Sequence, residues 1–200
     1  MAANTSKRSY KINVKKPVYC KLTSDTLSGV SYGSVTSLGE AMQIQVTAVS
    51  SSGQLYGNGA IVDSASKLSG ITVVFDATKL PIEVKADIYN QTYTNGVAQV
   101  KAGDQANYIA FGYEVEQSTG DSEYVWLLKG RPQPLNNNVQ QSEANITYST
   151  DQMTIDFVRR IYDDMLEYYA DAANADFTAA QAAAWFTSGP TSPVAPVVTT

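Results

Sequence analysis

Two glutamates, Glu114 and Glu116, stand two residues apart in the alternating run Ile109-Ala110-Phe111-Gly112-Tyr113-Glu114-Val115-Glu116. Residues i and i+2 of a strand project from one face, so the pair has the chemistry of a glycosidase acid and base. The same pattern arises on any solvated strand face, which is far commoner. Asp163-Asp164 and Asp121-x-Glu123 offer oxygen ligands to a hard cation but lack the graded spacing of a calcium loop, and read as surface acids. Gly57-Asn58-Gly59 is too short to cradle a phosphate and has no Lys-Ser/Thr after it, so it reads as punctuation in a loop. Cys20 lies in an apolar alternation with no base beside it, the setting of a small buried hydrophobe rather than a nucleophile. Histidine is absent and Cys20 is the only cysteine. That excludes a His- or Cys-based triad, a zinc site of the usual nitrogen and sulfur ligands, and an intramolecular disulfide. Trp126 and Trp185 have rings that stack on sugars or bases, yet each sits in an apolar pattern that suits a core or a subunit contact. The expectation is a structural or assembly protein with no catalytic residues, metal or cofactor.

The bulk properties agree. Two hundred residues with 44% hydrophobic side chains suffice for one ordinary core. The charge is low and mildly acidic, 19 acids against 14 bases, with no long basic block. Tight wrapping of nucleic acid needs clustered Lys and Arg, so it is not expected. No apolar run reaches the length of a membrane span and residues 1–7 lack the apolar core of a secretory signal, so neither export by that route nor a membrane location is expected. Three Asn-x-Ser/Thr matches carry no weight without such a signal. Thirteen tyrosines against five phenylalanines favour a protein with large contact surfaces, because tyrosine combines apolar area with a polar tip.

The elements that position these residues are mainly strands. Met42, Ile44, Val46 and Ala48 alternate with Gln43, Gln45 and Thr47, and the alternation returns at Ile71, Val73 and Phe75. The Gly- and Ser-rich residues 50–69 between them read as a long flexible loop, a length usually functional or disordered. Ahead of this pair, residues 10–22 read as an extended segment near an edge, with Pro17 arguing against a central position. After it, Thr78 is placed to cap a short amphipathic helix over residues 79–89, with Leu80, Val84 and Ile88 on one face. Ile109 to Glu116 and Tyr124 to Leu128 form a hairpin whose second strand, apolar on both sides, expects cover from the core and from a neighbouring subunit. An Asn-rich loop from Asn136 leads to Ile146-Thr147-Tyr148, and Met153, Ile155 and Phe157 mark a last strand. Residues 161–173 permit a helix or an extended arm. Asp176 is placed to cap a short helix from Thr178 to Phe186, stopped by Gly189-Pro190. Residues 188–200, with three prolines and no charged side chain, read as a flexible tail. The fold expected is a mainly β single domain over residues 1–187, a β-sandwich or partial barrel with these two short helices. Within it, residues 1–9 form an N-terminal arm and residues 161–187 a C-terminal arm.

Several motifs occur in a recognisable order: Pro17-Val18-Tyr19, Val30-Ser31-Tyr32-Gly33, Gly53-Gln54-Leu55-Tyr56, Thr78-Lys79-Leu80-Pro81 and Tyr108-Ile109-Ala110-Phe111-Gly112-Tyr113. Trp126-Leu127-Leu128-Lys129-Gly130-Arg131, Gln140-Gln141-Ser142 and Phe157-Val158-Arg159-Arg160 follow. Over residues 11–186 this ordered set resembles the major tail, or tail tube, proteins of long non-contractile-tailed phages of Gram-positive bacteria. The resemblance implies a non-enzymatic virion protein without cofactor, assembled in the host cytoplasm. Its copies would close into hexameric rings that share an inner barrel and stack into a tube for DNA ejection. Its other partners would be the tape measure, tail terminator and distal tail proteins, with DNA passing without sequence-specific contact. The long segment would be the ring-stacking loop, through Ser51, Gly53, Leu55, Tyr56, Asn58, Ile61, Asp63 and Lys67. Subunit contacts would involve Tyr124, Trp126, Arg159, Arg160, Tyr168 and Tyr169. A lumen that lets DNA slide should be polar and not basic, which points to Gln43, Gln45, Thr47, Thr72 and Asp76. The rival expectations are a baseplate or host-glycan binding module, with a concave aromatic site, and a carbohydrate-active enzyme whose acids, such as Glu114 and Glu116, converge in a cleft.

Overall fold

The computed structural model describes residues 9–135, 139, 141 and 149–192. The proposed N-terminal arm up to residue 8, most of the Asn-rich loop, Ile146-Thr147-Tyr148, most of Gln140-Gln141-Ser142 and the tail from 193 lie outside them. In chain order the elements are β1 (Lys11–Thr26), β2 (Gly29–Tyr32), β3 (Thr36–Ser37), β4 (Ala41–Gly57), β5 (Ala60–Ala77) and α1 (Ile82–Ile88). Then come β6 (Thr92–Thr94), β7 (Val97–Gln99), β8 (Ile109–Gln117), β9 (Ser122–Pro132), β10 (Asp151–Phe157), β11 (Glu167–Asp171) and α2 (Ala179–Ala184).

One antiparallel sheet runs β2-β1-β8-β9-β10-β5-β4, with β3 added beside β1 and β11 beside β9. It does not close into a barrel. Its inner face follows the alternations read from sequence. Ile71, Val73 and Phe75 meet Met153, Ile155 and Phe157 in register, and Ile109, Phe111, Tyr113 and Val115 complete the same core. On the other face of β8 and β9, a second core gathers Cys20, Ala110, Tyr124, Trp126, Leu128 and Trp185. Gly112 permits this packing, because a Cβ there would stand 2.8 Å from both the Trp126 and Phe186 rings. The cover over β9 is therefore the chain's own C-terminal segment, with α2, and not a neighbouring subunit.

Several expectations change at the level of local geometry. Residues 50–69 are not a loop. They are the distal halves of β4 and β5, paired from Ser50↔Leu68 to Gly57↔Ala60. Asn58 and Gly59 close the hairpin with φ of 51° and 80°, the two positive values of a type I′ turn. Met42 leaves the core side because a register shift falls between Ala41 and Gln43, and it is 57% exposed. Pro17 sits at a similar shift in β1, between the pairs Lys15↔Glu114 and Val18↔Gly112, where no ladder N–H is required of it. Residues 167–171 are strand β11, paired along β9.

Both helices form with other caps than expected. Leu80, Val84 and Ile88 are buried as the spacing required, but α1 begins after Pro81, and the Leu80 N–H is received by the Asp151 carboxylate at 2.7 Å. In α2 the cap is Thr178, in a capping box with Gln181, rather than Asp176. Residues 188–192, expected in the tail, include the buried Pro190, and Gly189 packs on Tyr32 and Cys20.

Three aspartates fasten the loops to the sheet. Asp25 accepts from Lys129 at 2.7 Å and from the Ile161 and Tyr162 backbone N–H groups; Asp151 accepts from Leu80 and Lys85; Asp163 pairs with Arg160. Burial alone would raise their pKa values, but these donors outweigh it and hold all three below the ordinary 3.8. A folded pKa below the unfolded one stabilises the fold above the unfolded value, and the gain disappears as pH falls through the folded one. Urea midpoints are accordingly expected to be level from pH 7 to about 5 and to drop steeply below about 4. A midpoint unchanged at pH 3 would contradict the ion-pair account.

Candidate functional site

No acid singled out for chemistry stands in a catalytic arrangement. Glu114 is 7% exposed, bonded to Ser122 Oγ and paired with Lys16 at 2.8 Å, while Glu116 pairs with Lys15 at 2.7 Å. The Lys15 bond holds the Glu116 carboxyl below its usual range. Glu123 pairs with Lys11, Asp163 with Arg160 and Asp164 with Arg159. No group of three or more His, Cys, Asp or Glu residues is gathered as a metal site among the described residues. Cys20 is fully buried, and desolvation pushes its thiol up to about 12.

The chemistry of the molecule lies instead in its surfaces. The inward alternation of β5 and β10 turns their other residues outward, and the register aligns them. Gln43 lies opposite Asp76 and Thr47 opposite Thr72, so β4 and β5 bring all five lumen candidates together. β10 extends the field, placing Gln152 beside Asp76 and Asp156 beside Thr72. Hydrogen bonds link the rows: Thr72 donates to Asp156 at 2.8 Å, Gln133 to Asp156 at 2.8 Å, and Gln152 to Asp76 at 2.8 Å. The acidic side chains in this field are Asp76 and Asp156. Arg131, opposite Asp156, stands at the margin and stacks on the Tyr108 ring at 4.0 Å. Sequence reasoning missed the contribution of Gln152 and Asp156. Their alternation with Met153, Ile155 and Phe157 was visible, but their neighbours were not.

The second surface is the hairpin arm. Beyond Gly70, which is buried beneath the Phe157 carbonyl, both strands leave the body of the chain. Ser51, Leu55, Tyr56, Asn58, Ile61, Asp63 and Lys67 are all exposed, as are Val62 and Leu68. Gly53 has nothing near its α-carbon on the side-chain side. From residue 50 to 57 the arm spans about 23 Å at the rise of a strand. β4 also has a hydrogen-bonded neighbour on one side only; near its start it lies close to β1, and beyond that its outer side is a row of backbone groups open to pairing.

The proposed subunit contacts divide. Arg159 and Tyr169 are exposed. Tyr124, Trp126 and Arg160 are buried within the chain, and Tyr168 is half-buried, bonded to Asp163 and Arg160. The Trp126 indole donates to the Trp185 carbonyl at 2.9 Å, so its polar edge is satisfied internally. Sequence pattern identified these side chains as needing cover but could not say whose.

No described helix is long and apolar enough to cross a membrane. No curated protein matches the chain. The family model for phage tail tube proteins matches residues 23–189, a span containing the long hairpin, the polar face and both helices. The chain belongs to the phage tail tube protein family, and its role is that of a structural component of the virion tail.

Proposed function

We propose that copies of this chain close into hexameric rings whose inner wall is the polar field on β4, β5 and β10, and that the rings stack into a tube that conducts DNA during ejection. The observation that carries this reading is the unequal treatment of one sheet face. Over β8 and β9 the chain covers it with its own C-terminal segment, whereas over β10, β5 and β4 it leaves Gln43, Gln45, Thr47, Gln152 and Asp156 exposed and Thr72, Val74 and Asp76 partly exposed. A bare face without clustered bases resists phosphate binding, which would otherwise slow a passing duplex. The open β4 edge gives each copy a place to continue the sheet into its neighbour. The tape measure protein would occupy the bore during assembly in the host cytoplasm, with tail terminator and distal tail proteins at the ends. A glycan-binding module gains no support, since both tryptophans are buried, at 2% and 4% exposure.

Negative-stain electron microscopy of the purified chain at rising concentration tests the reading. Tubes of uniform bore are expected. A chain that stays monomeric at every concentration, even with preformed tail tips as seeds, would overturn it. In the variant Asp76→Lys/Asp156→Lys the tubes are expected to form but to retain short duplex DNA at about 50 mM salt and release it at several-fold higher salt, since each phosphate contact adds salt dependence. Equal DNA retention by the unaltered and variant tubes would place these residues away from the bore.

A further inference from the structure

We infer that the tip of the hairpin arm of one copy seats in the cavity at the far end of β5 in the next copy, between α1, the segment after β7 and the end of β9. This inference rests on the tube reading above and names the acceptor for its arm.

The strand itself separates donor from acceptor. β5 runs 18 residues from the Asn58-Gly59 turn to Ala77, about 60 Å at strand rise, and α1 follows at once. A cavity of about 570 Å³ opens there, lined by Tyr89, Val100, Lys101, Ala106, Pro132 and Leu135 among others. The tip cannot reach the cavity of its own chain. Contact between unlike ends of identical molecules is heterologous, and along a common axis it repeats without closing, as stacking requires.

The chemistry of the two ends is matched. The tip exposes Leu55, Tyr56, Ile61 and Val62 at 54–65% each, with Tyr56 beside Ile61 on one face of the hairpin and Leu55 beside Asp63 on the other. The cavity is mixed: its apolar and aromatic residues offer contact to such side chains, and Lys85, Gln91, Lys101, Asp104, Gln105 and Arg131 line the rest. Asp63 is the only acid between residues 41 and 75, directly beside this apolar group. At the cavity, Lys85 is engaged by Asp151 and Arg131 stacks on Tyr108, while Asp104 accepts from the Lys101 backbone N–H and the Lys101 ammonium forms no ion pair among the described residues. Asp63 therefore pairs with Lys101 as the tip enters.

Disulfide trapping tests this directly, because the native Cys20 is fully buried and silent. Tubes of the double variant Tyr56→Cys/Val100→Cys, oxidised with copper phenanthroline, should give a ladder of linked multimers that neither single variant gives. Tubes without a ladder would overturn the docking site while leaving the tube reading intact. Failure of the unaltered chain to form tubes would overturn both. Asp63→Lys should raise the protein concentration needed for tubes about tenfold, and adding Lys101→Glu should restore it to within about threefold, as charge complementarity predicts. A swap without rescue would overturn the proposed pairing.

Discussion

Replacing residues 51–67 by Asn-Gly is expected to give a chain that folds normally and forms no tubes. Ser50 and Leu68 already face each other across the hairpin, so a two-residue type I′ turn can close the shortened strands without altering the register below. The described side chains removed are all exposed, so nothing leaves the core. A single surface substitution usually shifts stability by no more than about 0.5 kcal/mol. Because the arm touches no core residue, its removal should stay of that order, roughly 1–2 °C in a chain of this length. Circular dichroism melts should overlay, while sedimentation and electron microscopy should find only monomers or single rings. Continued tube formation would mean that stacking runs through other surfaces. A large fall in melting temperature would mean that the arm supports the fold of its own chain. The two failures differ in the measurement that reveals them.

Arg160→Ala is expected to be the most damaging single substitution in the polar structure. The side chain is 1% exposed, and its guanidinium donates to Asp163, Tyr168, Tyr32 and the Pro190 carbonyl. It thereby joins the link after β10 to the strap of residues 188–192 that covers Cys20 and Tyr32. Burial disfavours its charge, but these partners, led by Asp163, raise its pKa further above an already high value. Removing one member of a buried pair leaves the other uncompensated, at a cost of about 3–5 kcal/mol. At about 2–4 °C per kcal/mol, the melting temperature should fall by roughly 10 °C. Melts are best made on the arm-shortened chain, where assembly cannot mask the loss. Arg160→Lys should recover only part of it, since a point charge cannot serve four partners spread around a planar fork. A loss below about 1 kcal/mol would show that water replaces the guanidinium freely.

Where one face of a strand meets the core, the sequence was readable. Met153, Ile155 and Phe157 repeat every second residue because burial in β10 falls on one side. By contrast, β8 is buried on both faces, and its large side chains, Ile109, Phe111, Tyr113 and Val115, alternate with the small Ala110 and Gly112 that face the second core. The same logic misled at the arm. Neither face of residues 50–56 or 60–69 is buried in the single chain, so no alternation was imposed, and strands there looked like loop. The Asn-Gly pair at the apex was the one local signal, and its weight was lost against the serines around it. Met42 misled in the opposite way, since its apolar alternation continues through a register shift that turns it outward. The caps followed from competition. Asp176 and Thr78 had suitable side chains, but Thr178 had a glutamine three residues on, and Leu80 had a carboxylate 71 residues away.

By itself the sequence determined the composition that leaves no histidine for catalysis, the alternations that make a β-rich core, and the order of motifs that marks a tail tube protein. It also placed Gln43, Gln45, Thr47, Thr72 and Asp76 on outward positions of two strands. Only the tertiary structure decided that Asp156, 84 residues from Thr72, completes the same polar field, and that Trp126 is covered from within. The reason is physical: alternation along a strand is enforced by burial and can be read locally. Which strand lies beside which depends on the whole sheet order, and for the outward face no pattern in either strand records its neighbour.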